Sequence, residues 1–155
     1  MIDAPQIVQS PAMLTAFIPL TVPRAEIRTV MGPGISEVFG ALAAQKIAPA
    51  GAWLTHHLRM DPSVFDFEIC VPTSSPVAAA GRVRPGQIGA ATVARTVYRG
   101  PYEGLGDAWG EFKSWIGANG HATRADLWEC YQVGPETTSD PARWRTELNW
   151  PLVAA

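Results

Sequence analysis

The chain has 155 residues, about one domain's worth, of which 47% belong to the AVILMFWYC set and 17% are charged. That balance excludes a disordered tail, and a net charge of −2 with no basic cluster argues against a nucleic-acid partner. Gly and Pro, 14 of each, signal a globular domain with many tight turns.

The uncharged stretch 4–23 carries Pro5, Pro11, Pro19 and Pro23 and has no basic residue before it. It therefore reads as neither a membrane span nor a signal peptide, and no membrane partner is expected. Residues 13–20 form the first expected strand, rich in β-branched and aromatic side chains. A short helical turn is expected over 23–31, with Gly32-Pro33-Gly34 breaking the chain after it. Ile35, Val38, Phe39 and Leu42 then fall at i, i+3, i+4 and i+7, the spacing of one apolar helix stripe, ended by Pro49 and Gly51. Two strands follow, 53–60 and 63–71, joined at Asp61-Pro62. In the second, Phe65, Phe67, Ile69 and Val71 alternate with Asp66, Glu68 and Cys70, so one face is apolar and the other polar.

Residues 72–86, with three Pro and two Gly, read as a linker. The pattern then starts again. A strand is expected over 87–98 and a break at Gly100-Pro101. Leu105, Ala108, Trp109, Phe112 and Ile116 form the next helix stripe, stopped at Asn119-Gly120. A strand over 127–133, a loop over 134–141 and a last strand over 144–150 complete the chain.

The last strands of the two halves match without a gap: Phe65-Asp66-Phe67-Glu68-Ile69-Cys70-Val71-Pro72 on Trp144-Arg145-Thr146-Glu147-Leu148-Asn149-Trp150-Pro151. Gly32-Pro33 is matched to Gly100-Pro101, and Trp53 to Trp128. The chain is thus read as one α+β domain over 1–155, a duplicated strand–helix–strand–strand module with pseudo-repeats at about 8–72 and 86–151. Pseudo-twofold symmetry, antiparallel sheets with helices on one face, and a central cleft are expected. Alternation sets Glu68 and Glu147 on the polar strand face with Arg145 and Asn149. There they either face the cleft or serve as solvated strand charges and ion-pair partners.

Five of the six tryptophans lie beyond residue 100, and Tyr98, Tyr102 and Tyr131 share that half. In Trp128-Glu129-Cys130-Tyr131, Glu129 and Tyr131 share a strand face. A Glu among Trp and Tyr rings suits flat cationic or polarised molecules, because rings stack and attract cations while the carboxylate completes the charge. A salt bridge to a nearby Arg is the alternative for Glu129, and core packing the alternative for Trp109. Cys70 and Cys130 lie far apart in strand-like runs and read as small buried side chains in a reduced, cytoplasmic protein. His56 and His57 are adjacent and point to opposite strand faces, so no metal site and no cofactor are expected. No G-x-S-x-G elbow or phosphate-binding loop is present.

The runs Thr96-Val97-Tyr98-Arg99-Gly100-Pro101-Tyr102-Glu103, Trp128-Glu129-Cys130-Tyr131 and the last strand, with the helix through Trp109 and Trp115, resemble the GyrI-like small-molecule-binding family. The resemblance covers nearly the whole chain. It implies the duplicated fold, an aromatic cleft with buried Glu, and kinship with the effector-binding domains of AraC-type and MerR-type multidrug regulators. With no helix-turn-helix segment, the chain is expected to be a stand-alone, monomeric member. Some such members hydrolyse cyclopropanoid DNA-alkylating natural products, while others are read as drug-sequestering proteins. The expected function is capture of planar hydrophobic, cationic or electrophilic compounds, and the alternative is cyclopropanoid hydrolysis; a protein partner has no support in the sequence. Candidate catalytic residues are Glu147, Glu129 and Tyr131, with Glu147 ranked first. Candidate ligand-binding residues are Glu68, His56, Tyr98, Tyr102, Trp109, Trp128 and Trp150.

Overall fold

Alternating apolar residues give each sheet one face that must be covered, and a helix covers it in each half of the chain. The computed structural model describes residues 2–153. In chain order the elements are β1 (Gln6–Ser10), β2 (Met13–Pro23), α1 (Ile27–Gln45), β3 (Leu54–Met60), β4 (Val64–Pro72), β5 (Arg84–Ile88), β6 (Ala91–Arg99), α2 (Leu105–Ala118), β7 (Leu127–Val133) and β8 (Arg145–Pro151). Residues 11–90 form one compact unit, and the described residues before 11 and after 90 form the other. The fold is α+β, with antiparallel pairing throughout the ladders described below.

In the 11–90 unit the strands run in the order β3-β4-β2-β5. Phe67, Ile69 and Val71 of β4 and Ala16 and Ile18 of β2 pack against Val38 and Leu42 of α1, all essentially fully buried. Helix α1 runs unbroken through Gly32-Pro33-Gly34, which corrects the expected break. Pro33 removes one intrahelical hydrogen bond, at a cost of about 3 kcal/mol. Ile27, Val30 and Met31 before it and Ile35 after it all pack on the same core. Full burial of a side chain of that size contributes roughly 1.5–3 kcal/mol, and these four are partly buried, so together with the fully buried Val38 and Leu42 their packing outweighs the proline. Gly34 has a definite use here, since a Cβ at that position would strike the Ile69 side chain. Phe39 falls off the buried stripe and is 37% exposed.

In the other unit the order is β1-β6-β8-β7. Ala108, Phe112 and Ile116 of α2 pack on Ala94, Tyr98, Leu127, Leu148 and Trp150; of these strand residues the sequence reading names Leu148 and Trp150 for the covered face. The turn into α2 rests on Gly100, whose φ of +136° suits only glycine.

The edge strands carry the largest departure from the sequence reading. β1 lies two residues before β2 but pairs with β6, register Val8↔Val93. β5 lies two residues before β6 but pairs with β2, register Thr15↔Gly86. The expected strand 87–98 is therefore two strands, and part of the expected linker is β5. Pro85 is tolerated there because β5 is an edge strand, with one row of backbone groups unpaired within its sheet. Val77 and Val83, also in that segment, are core residues.

Matching the units element by element also corrects two of the paired positions. Pro23 and Pro101 each precede the 3-10 turn that leads into a helix, so Pro101 corresponds to Pro23 and not to Pro33. The ladders pair His56 with Glu68 and Cys130 with Glu147. With Glu68 matched to Glu147, Leu54 corresponds to Trp128, Thr55 to Glu129 and His57 to Tyr131; Trp53 is one residue out of step with Trp128. Both ladders carry an irregularity at the next position, between His57 and Arg59 and between Tyr131 and Val133.

Candidate functional site

β7 alternates, so Leu127, Glu129 and Tyr131 face α2 while Trp128, Cys130 and Gln132 face away. Leu127 joins the α2 core, which fixes that assignment. Glu129 is only 9% exposed. Its Oε1 accepts the Trp109 indole N–H at 2.6 Å, and its Oε2 accepts the Tyr131 hydroxyl at 2.6 Å. Hydrogen bonds to a carboxylate of this length are strong and orient it firmly. No Lys or Arg forms an ion pair with Glu129 among the described residues. The alternative of an arginine salt bridge is thereby removed.

The surrounding rings fix one another. Trp109 meets Trp150 edge-on at 5.5 Å between centroids and Phe112 at 5.8 Å. Trp150 donates its indole N–H to the Arg124 carbonyl at 2.9 Å and is almost fully buried. Tyr102 lies 5.9 Å from Tyr131, near-perpendicular, and 4.8 Å from Trp144. Its hydroxyl is buried and has no hydrogen-bond partner among the described residues. Burial, aided by the nearby charges of Glu136 and Glu129, pushes the Tyr102 phenol up to about 12. Tyr98 is buried in the same unit and donates its hydroxyl to the Pro101 carbonyl at 2.7 Å. Tyr98 thus closes the turn into α2.

Glu147 lies on the other face of this sheet. It accepts from Asn149 Nδ2 and Gln132 Nε2, each at 3.0 Å, and its Oε1 is 3.5 Å from Arg95 Nε. Arg95 also donates to Asn149 Oδ1 at 2.6 Å. This is a closed polar network in which Glu147 already has a counter-charge. Burial first, then the Glu147 charge, pushes the neighbouring Cys130 thiol up to about 12, which leaves it protonated and unreactive. Trp128, also on this face, is buried. Glu129 and Glu147 therefore belong to different environments.

In the 11–90 unit, His56 Nδ1 and Glu68 Oε1 are 3.1 Å apart, with side chains 13% and 20% exposed. On the opposite strand face His57 stacks on Phe67 at 5.4 Å and contacts Thr55 Oγ1 at 3.2 Å. Thr55 and His57 occupy the places of Glu129 and Tyr131, so the duplicated position carries no carboxylate here. The sequence reading missed Trp144 as a ring on Tyr102 and Glu136 as a charge near it. Trp144 was visible only as a strand residue, and no local pattern marks Glu136. Among the described residues no group of three or more His, Cys, Asp or Glu is placed to hold a metal ion. Among the same described residues no helix is long and apolar enough to cross a membrane.

The fold resembles several solved structures. The EcmrR C-terminal domain superposes with a TM-score of 0.86 at 20% identity, over 98% of both chains. In the EcmrR–DNA complex this chain spans only 58% of the EcmrR chain. SAV2435 bound to tetraphenylphosphonium gives a TM-score of 0.68 at 13% identity, over 98% of this chain and 95% of that one. A hydrolase from Listeria innocua gives 0.67 at 11% identity, over 96% and 91%. No curated protein matches the sequence. The model of the GyrI-like small molecule binding domain matches residues 3–153, and the chain belongs to that family.

Proposed function

We propose that this protein captures planar hydrophobic cations and electrophiles at Glu129, within the rings of Trp109, Tyr131, Tyr102 and Trp150. The observation that carries the reading is a buried carboxylate held by two ring donors and left without a counter-cation. A desolvated negative charge with hydrogen-bond donors but no internal counter-charge is costly to keep, and a cationic ligand relieves that cost. Aromatic faces add roughly 0.5–2 kcal/mol per cation–ring contact. Trp109 and Tyr102 are only half-buried, so their rings can meet a ligand. The tetraphenylphosphonium complex of the similarly folded SAV2435 supports a lipophilic cation as the ligand class. Glu129 ranks ahead of Glu147 and Glu68 in this reading, because those two already face Arg95 and His56. Cys70 and Cys130, neither of them in a disulfide, accord with a reduced cytoplasmic setting. The test is quenching of tryptophan fluorescence by tetraphenylphosphonium and a panel of planar cations. Saturable quenching at one-to-one stoichiometry is expected; its absence across the panel would sink the proposal.

A second reading rests on the unpartnered Tyr102 hydroxyl. In a cyclopropanoid hydrolase, Glu129 would take a proton from water as the water oxygen bonds to the cyclopropane carbon. The electron pair of the breaking C–C bond would pass to the conjugated carbonyl oxygen, which receives a hydrogen bond from Tyr102. A hydrolase among the similar folds accords with this reading. Mass spectrometry of a cyclopropanoid after incubation would show the water-addition product, and an unchanged mass would exclude turnover.

A further inference from the structure

A cavity of about 580 Å³ opens in the unit that holds Glu129, lined by Arg99, Arg143, Arg145, Thr137, Thr138 and Trp144 among others. That volume is within the roughly 300–1,000 Å³ range of small-molecule sites. Its chemistry is opposite in sign to that of the Glu129 cluster. Arg99 is held by Asp3, Nε to Oδ1 at 3.0 Å and Nη2 to Oδ2 at 3.2 Å. Arg145 adds to the positive field felt by Asp3. Arg143 and Arg145 make no ion pair among the described residues and keep their guanidinium forks exposed. Asp140 also lies in this segment, but its Oδ1 accepts the Ala142 amide at 3.1 Å and caps the turn before Trp144. The lining itself carries three arginines and no carboxylate; Asp3, Asp140 and Glu136 lie nearby but outside it.

The wall is built rather than incidental. Trp144 donates its indole N–H to the Thr138 carbonyl at 2.9 Å, which ties the 134–141 loop to the start of β8. The Trp144 ring also leans on Tyr102. A flat apolar wall fixed by a hydrogen bond, beside paired guanidinium forks, suits an aromatic ring carrying a planar anion, since the fork matches a carboxylate bidentately. We infer that this cavity is a second small-molecule site, selective for aromatic carboxylates and similar planar anions. The inference stands apart from the role proposed for Glu129.

The probe is 2-naphthoate, compared with the neutral 2-naphthamide, by titration calorimetry on the full chain. Naphthoate is expected to bind saturably and at least tenfold more tightly than the amide. The exposed Arg143→Gln/Arg145→Gln double variant should lose at least tenfold in naphthoate affinity, while tetraphenylphosphonium titrates as before. Equal affinity for acid and amide, no effect of the double variant, or binding of a poly-Glu peptide but not of naphthoate would each overturn the inference.

Discussion

Replacing Glu129 by Gln keeps the shape of the side chain and removes its charge. A ligand cation seated about 5 Å from the carboxylate interacts at an effective dielectric near 20 by roughly 3 kcal/mol. Because Trp109 and Tyr102 are only half-buried, solvent screening reduces this by about half, leaving a ten- to hundredfold loss in affinity. The fold should survive at reduced stability. Gln can keep its amide oxygen on the Trp109 indole N–H and turn its NH2 towards the Tyr131 hydroxyl, which then accepts instead of donating. Two charge-assisted bonds become two neutral ones, a cost of about 1–3 kcal/mol. Titration calorimetry with tetraphenylphosphonium, run well below the unfolding transition, measures the first effect, and thermal unfolding the second. A neutral aromatic ligand of similar size is the control and should lose little. Affinity for the cation within twofold of wild type, or an equal loss for the neutral ligand, would refute the electrostatic argument.

Pro33→Ala restores an intrahelical amide to α1 and should stabilise the protein by about 1–2 kcal/mol after the loss of unfolded-state rigidity, read as a raised unfolding midpoint; a lowered midpoint would contradict the packing account of that helix. Phe112→Ala empties a fully buried position under β8 and should cost about 3–5 kcal/mol in chemical denaturation. Tyr102, raised from 10.0 to about 12, should ionise well above pH 10 in an ultraviolet titration, and Tyr102→Phe should remove that component. The phenol is held neutral in the folded state, so its contribution is fully present below pH 10 and is lost as pH rises towards 12; Tyr102→Phe should flatten that part of the stability profile.

The parts of the fold legible in the sequence are those where one residue type dictates one face. The alternation in β4 and β8 and the stripe of α2 placed Phe67, Leu148, Phe112 and Ile116 correctly, because period two and period 3.6 leave no other way to bury them. Glu129 and Tyr131 share a face for the same reason. Helix α1 was split at Pro33 because local propensity argues for a break, while the packing that overrides it comes from strands far along the chain. β1 and β5 were hidden because edge strands need little hydrophobicity: Gln6-Ile7-Val8-Gln9-Ser10 and Arg84-Pro85-Gly86-Gln87-Ile88 gain their order from the neighbouring ladder. The separation of Glu129 from Glu147 comes from the β7–β8 register, which pairs Cys130 and not Glu129 with Glu147, and alternation within one strand does not give it. That Arg95 already serves Glu147 is a contact between β6 and β8 that no local pattern reveals.

The central claim is that the Glu129 cluster receives a lipophilic cation, and the Trp109 indole N–H reports on it most directly, since it is hydrogen-bonded to Glu129. Nuclear magnetic resonance of the six indole N–H signals during titration with tetraphenylphosphonium separates that site from every other tryptophan. The account predicts a saturable shift of the Trp109 signal that fits one site, with a smaller shift at its neighbour Trp150. A Trp109 signal that stays fixed while the cation binds would place the ligand elsewhere and contradict the account.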